Sequence, residues 1–324
     1  MSFKGKMMHV MMRNRHLLKG RIRREVIDKN TSIERLRFEC NDAAERLAKM
    51  PDGISIEKAG YLPVYAEWII PEGADEKKAI LYFHGGGFVM GNVKSHRCIV
   101  GNFVKMVGYK ALLFDYHLAP EFPAPAAVDD SAAIYIWMLE QGYQPENIIF
   151  AGDSAGGGIE IAAMLKLKDD DIPLPAACVA FSPSLDMTIS GESHRTRAKA
   201  DPCTPKGMTE TYYDYYVGNG DPKHPYASPL FGDLSGLPPI MIHVGNDEVM
   251  RDDSTRFGEK ADSCGVKIQV KVWKGMFHCF PLLAPMFSEA TEAMKQVSAF
   301  IRRHMEKEDS IVASLILSLL FSIY

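Results

Sequence analysis

The sequence has no C-x-x-C pair, no cysteine–histidine cluster at metal-ligand spacing, no excess of charge of either sign, no internal repeat and no low-complexity tract. Each absence excludes something. The six cysteines (Cys40, Cys98, Cys178, Cys203, Cys264 and Cys279) are widely spaced, so a zinc ribbon or redox dithiol is not expected; they read as unbridged thiols of a reducing compartment, the cytoplasm. A net charge of -4 over 324 residues gives no basic surface for nucleic acid. The missing repeats exclude a solenoid or propeller. The first acid is Glu25, after eight basic residues (Lys4, Lys6, Arg13, Arg15, Lys19, Arg21, Arg23, Arg24) and five methionines. No uninterrupted apolar core follows those charges, so this start is not a secretory signal. A transit peptide or a membrane-surface helix would share its basic, acid-poor character. The other end, Ile311 to Tyr324, is apolar except for Ser314, Ser318 and Ser322. As a helix it would reach only about 21 Å against a hydrocarbon core of ~30 Å, so it is not expected to cross a membrane.

What is present is alternation. Strand patterns at 54–58 and 64–70 open the chain, followed by strands at 79–83, 110–115, 147–151, 177–182, 239–244 and 268–273. Helical patterns near 94–107, 127–141, 154–168, 251–264 and 285–305 separate or follow them. This rhythm predicts an α/β fold with a mostly parallel central sheet and helices on both faces. The runs Ala111–Phe114 and Ile148–Ala151 lack period-two alternation, as strands covered on both sides should. Residues 186–237 break the rhythm and are too long for a bare loop, so an inserted cap is expected there. Within it, Tyr212-Tyr213-Asp214-Tyr215-Tyr216 reads either as an aromatic wall for the substrate or as packing of the cap on the core.

The chemistry sits at strand ends. Gly152-Asp153-Ser154-Ala155-Gly156 joins a strand to a helix, the setting of a nucleophile elbow, in which a sharp turn exposes the serine hydroxyl beyond the sheet. Upstream, the strand 79–83 runs into His84-Gly85-Gly86-Gly87-Phe88, whose glycines leave the backbone free to aim N–H groups at a developing oxyanion. A serine nucleophile of this kind needs, later in the chain, an acid and then a histidine. Asp247 follows the strand 239–244, and His278 follows the strand 268–273.

HGGGF, Tyr116-His117-Leu118-Ala119-Pro120-Glu121, GDSAGG, Tyr226-Ala227-Ser228-Pro229-Leu230 and Asp247 with Arg251-Asp252-Asp253 together resemble the bacterial hormone-sensitive-lipase-like esterases of the α/β-hydrolase superfamily, over roughly residues 30 to 305. The resemblance implies an α/β-hydrolase fold with a helical cap and a soluble serine carboxylesterase acting on short- to medium-chain esters. Its implied triad is Ser154, Asp247 and His278, its oxyanion hole the N–H groups of Gly86, Gly87 and Ala155, and it needs no cofactor or metal. His117, where the family usually has arginine, and Glu160, on a face more often apolar, depart from the pattern. The implied organisation is an N-terminal part of the cap over 1–50, core over 51–185, cap insert over 186–237, core over 238–307 and an apolar tail over 308–324. Under it the basic N-terminus is cap rather than membrane anchor, and the partner is a small-molecule ester. The last strand, 268–273, is an exposed edge that suits a homodimer. A non-catalytic binding protein on the same fold is the rival reading; it would be expected to have lost the base.

Overall fold

The computed structural model describes residues 1–14, 17, 25–47, 49–60 and 64–306, so the apolar tail and most of the basic stretch 15–24 lie outside the described residues. The chain begins with α1 (Phe3–Arg13), and α2 (Ile33–Leu47) precedes the first strand. The strands are β1 (Ile54–Lys58), β2 (Ala66–Pro71), β3 (Ala79–Phe83), β4 (Lys110–Phe114), β5 (Ile148–Asp153), β6 (Ala177–Phe181), β7 (Ile240–Gly245) and β8 (Ile268–Trp273). They form one eight-stranded sheet in the order β1-β2-β4-β3-β5-β6-β7-β8. The pairs β1–β2 and β2–β4 are antiparallel and all the others parallel. β5 runs two residues beyond its expected end, because Asp153 still pairs in register with Phe181.

The connections carry α3 (Val93–Val107), α4 (Ala126–Glu140) and α5 (Ala155–Asp169), then α6 (Glu192–Thr196) and α7 (Met208–Val217) within 186–237, and finally α8 (Arg251–Ser263) and α9 (Ser288–Met305). Alternate strand residues go to opposite faces. Leu81, Phe83, Ile148 and Phe150 meet α4, α5 and α8 in one core cluster, which includes Tyr135, Ile159 and Phe257. Ile80, Tyr82, Ile149 and Ala151 meet α3 and α9 in the other, with Val100, Phe103, Val297 and Ile301. Both faces are therefore sealed, and each fully buried Leu or Phe contributes about 1.5–3 kcal/mol. Local signals set the helix ends: at α3, the Asn92 side chain accepts from Ser95 N–H at 2.8 Å and Ser95 Oγ accepts from Asn92 N–H at 2.9 Å, a reciprocal cap.

The tyrosines of α7 pack. Tyr216 stacks on Phe88 with ring centroids 3.8 Å apart, and Tyr213 places its hydroxyl 3.2 Å from Met250 Sδ. Tyr212 lies over Gly87, where a Cβ would sit 2.4 Å from its ring. The segment thus rests directly on the glycine loop. β8 closes the sheet at one edge, half-exposed along its length.

Candidate active site

Ser154 stands between β5 and α5 with φ 56° and ψ -118°, a strained conformation for a residue with a Cβ. Main-chain hydrogen bonds hold it there. Its N–H donates to Phe181 C=O at 2.8 Å, and its C=O accepts from Gly158 and Ser184 N–H at 3.2 and 3.1 Å. Glycine at 156 is a matter of space: a Cβ would lie 2.1 Å from Phe83 C=O at the end of the neighbouring strand. The elbow can form only where the helix start touches β3.

The glycine loop is fixed from beneath. Asp153 Oδ1 accepts from Tyr82 Oη at 3.0 Å and from Gly85 N–H at 3.2 Å. His84 Nδ1 lies 2.8 Å from Gly85 C=O, and its ring stacks on Tyr116 at 4.1 Å. Burial drops His84 to about 3, so it is a neutral structural ring. Gly86 has φ 129°, and a Cβ there would lie 2.0 Å from Met90 C=O. The N–H groups of Gly86, Gly87 and Ala155 donate to no acceptor among the described residues, and Ala155 opens α5, whose N-terminus favours negative charge.

His278 joins the serine to an acid, and the acid is Glu248. Ser154 Oγ lies 2.9 Å from His278 Nε2, and His278 Nδ1 lies 2.7 Å from Glu248 Oε2. A carboxylate can only accept, so the ring proton sits on Nδ1 and Nε2 is left to accept from the serine hydroxyl. Asp247, expected in this role, is elsewhere: its N–H donates to Met276 C=O at 2.9 Å, its Oδ1 accepts from Asn246 Nδ2, and its Oδ2 is 3.8 Å from His9 Nε2. The correction has a backbone cause. The end of β7 touches the histidine loop so closely that a Cβ at Gly245 would be 2.4 Å from Met276 C=O. Residue 247 is spent on that main-chain contact and turns outward, while 248 turns inward and is fully buried.

Further residues hold Glu248 and its neighbour Val249 in place. Its Oε1 accepts from Ser182 Oγ at 2.8 Å and from Gly245 N–H, and Ser182 Oγ in turn accepts from Cys279 N–H at 3.0 Å. Ser182 therefore bridges the acid to the histidine loop. Asp201, from the segment 186–237, accepts from Val249 N–H at 3.0 Å and from Thr204 Oγ1 at 2.9 Å. Ser193 Oγ donates to Val249 C=O at 2.5 Å. Asp252 and Asp253 serve the same junction, accepting from Ser193 N–H and from Leu185 and Asp186 N–H. Neither Ser182 nor Asp201 carries a sequence motif that announces it.

Burial works against an imidazolium at His278, while the Glu248 carboxylate, 2.7 Å from Nδ1, works for it and raises the ring above its ordinary value. Burial pushes the Cys279 thiol up, so it lends the ring no charge; burial also raises the Glu248 carboxyl, against the lowering pull of its hydrogen bond to His278. Of the two departures, His117 pairs through N–H and Nδ1 with Asp130 Oδ2 at 2.8 and 2.7 Å. The guanidinium near that stretch comes from Arg37 of α2, which grips Glu121 and donates to Val89 and Ala119 C=O. Glu160 is fully buried beside the Cys178 thiol, with no well-formed hydrogen bond to either carboxyl oxygen.

Comparison with known proteins identifies the family of this fold. A family described by the alpha/beta hydrolase fold matches residues 80–282. An acetyl-hydrolase of Streptomyces hygroscopicus is 38% identical over 73% of this chain and 79% of its own. An esterase of Acinetobacter venetianus is 35% identical over 70% and 75%. Among solved structures, an esterase of the bacterial hormone-sensitive lipase family superposes with TM-score 0.85 at 35% identity, covering 94% of this chain and 99% of that one. EstE5 soaked with p-nitrophenyl butyrate gives TM-score 0.85 at 38% identity over the same shares. The chain belongs to the alpha/beta hydrolase family, among its bacterial hormone-sensitive-lipase-like esterases, and is a carboxylic ester hydrolase.

Proposed function

We propose that Ser154, His278 and Glu248 hydrolyse short- to medium-chain acyl esters through an acyl-enzyme. His278 Nε2 takes the Ser154 proton as Oγ attacks the ester carbonyl, and Glu248 stabilises the imidazolium through Nδ1–H. The Gly86, Gly87 and Ala155 N–H groups receive the oxyanion. Collapse of the tetrahedral intermediate releases the alcohol, which takes its proton from His278. A water then gives its proton to His278 and attacks the acyl carbon, and departure of Ser154 Oγ frees the acid. This chemistry requires no cofactor or metal. The observation that carries the reading is the continuous chain from Ser154 Oγ to His278 to Glu248 at 2.9 and 2.7 Å, which a binding protein has no use for.

The segment 186–237 serves in this reading as a cap that limits acyl length, since Tyr212 stands over Gly87. Location in the cytoplasm is read from the sequence, whose six cysteines are widely spaced and form no C-x-x-C pair. Initial rates on nitrophenyl esters of graded acyl length, with Ser154→Ala as the control, test the function. Activity retained by folded Ser154→Ala would refute it; a preference for long acyl chains would refute the cap's role.

A further inference from the structure

The catalytic apparatus makes no use of the outward face of α1. At about 100° per residue, Phe3, Met7, Val10 and Met11 fall on one stripe of this helix. All four are exposed, Phe3 at 82% and Val10 at 58%. Gly5 and Met8, on the opposite side, are buried, and Met8 joins Met276, Phe277 and Phe287 in the core. The helix is thus apolar both toward the body and away from it, whereas a surface helix ordinarily turns a polar face outward. Met286, 54% exposed, extends the outer patch across a groove it shares with Phe3 and Lys4. A contiguous exposed apolar surface rimmed by polar groups marks an interaction site.

The rim says which kind. Lys4 flanks the stripe on one side, Lys6 and Arg13 on the other, all exposed. α1 contains no acid, and Arg15, Lys19, Arg21, Arg23 and Arg24 follow before Glu25. The nearby Glu289 is engaged by Ser2 and by the terminal amine at 3.9 Å, and Glu292 shares the groove with Lys295. An apolar stripe with cations on both sides complements a surface that is apolar within and anionic at its boundary.

We propose that α1 docks this protein on an anionic lipid bilayer, lying in the plane of the interface with Phe3, Met7, Val10 and Met11 entering the headgroup boundary and Lys4, Lys6 and Arg13 meeting lipid phosphates. No described helix is long and apolar enough to cross a membrane; the attachment proposed for α1 is a peripheral one. This reverses the preference drawn from the sequence, which does not reveal which of the methionines face outward. Docking would also hold the histidine loop beside the surface, because His9 packs edge-on against Phe277 at 5.9 Å, next to His278. The proposal goes beyond the esterase reading and stands apart from it, since binding is measured without hydrolysis.

The test is flotation of the full chain with vesicles of phosphatidylglycerol and phosphatidylcholine, against phosphatidylcholine alone. Wild type should float with the anionic vesicles, roughly tenfold less with neutral ones, and less as salt rises. Phe3→Ser with Met7→Ser, and separately Lys4→Glu with Lys6→Glu, should each lower binding by about tenfold or more while circular dichroism and hydrolysis of a water-soluble ester stay unchanged. Failure of wild type to float would overturn the proposal, as would flotation of both variants at the wild-type level, which would place binding elsewhere in the chain, such as 311–324. A concentration-dependent dimer abolished by the serine variant, with no vesicle binding, would instead assign the stripe to a second copy of the chain.

Discussion

Glu248 Oε2 lies 2.7 Å from His278 Nδ1, whereas Asp247, the preceding residue, directs its carboxylate toward His9 on α1. Adjacent acids thus serve opposite sides of one turn. Glu248→Gln should lower kcat by about two to four orders of magnitude, because an amide no longer fixes the Nδ1–H tautomer or balances the imidazolium. Asp247→Asn should leave kcat within about threefold. Steady-state kinetics on the two folded variants decide it, and a larger loss from Asp247→Asn would return the role to Asp247.

The base must be neutral to accept the serine proton, and His278 is raised above its ordinary value by the Glu248 carboxylate. Activity should therefore fall as pH drops through that raised value, placing the acid limb of kcat/KM above the usual histidine range near ~6.5. Removing the carboxylate in Glu248→Gln should move that limb to lower pH. An acid limb at or below the ordinary range in wild type, or one unmoved by Glu248→Gln, would contradict the assignment.

Asp201 touches no reacting atom, yet it holds Val249, the residue after the acid, by its main-chain N–H at 3.0 Å. Asp201→Ala should cost roughly ten- to a hundredfold in kcat with little change in KM, since a displaced acid misaligns the base without touching substrate. Asp201→Asn, which keeps one acceptor, should recover part of the loss. A change confined to thermal stability, with kcat intact, would reduce Asp201 to a structural residue.

Glu160 is buried with no charged partner, beside the Cys178 thiol, and burial raises its carboxyl well above the usual carboxylate range. The fold holds it neutral, while the unfolded chain ionises it above about pH 4.3. Its contribution is therefore fully present below that pH and is lost as pH rises toward the folded-state value. Glu160→Met, similar in length and apolar, should raise Tm by a few degrees at pH 8 and by less at pH 5. An equal or smaller gain at pH 8 than at pH 5 would count against a neutral buried acid.

β8 leaves one edge of the sheet open, with Val272 39% exposed, and an unpaired edge invites a second strand. We expect a homodimer formed through β8. Light scattering across a range of concentrations, on wild type and on Val272→Pro, which removes an outward-facing edge N–H, checks this; a monomer mass at every concentration would rule it out.

Local patterns in the sequence located the strands from 79–83 to 268–273, the serine elbow and the glycine loop. Those features depend on contiguous residues: apolar runs covered on both faces, a turn that only small residues permit, a histidine just past a strand. The triad acid was decided only by tertiary structure. Asp247 and Glu248 are equally placed in sequence, and the contact of Gly245 with Met276 spends one on the main chain and turns the other toward His278. The same holds for Ser182 and Asp201, which reach Glu248 and Val249 from 66 and 48 residues away, and for α1, whose outward stripe exists only because Met8 and Gly5 are held against the core. Chain-local chemistry set the elements and the nucleophile; contacts distant in sequence chose the acid, fixed its supports and determined which face of the first helix meets solvent.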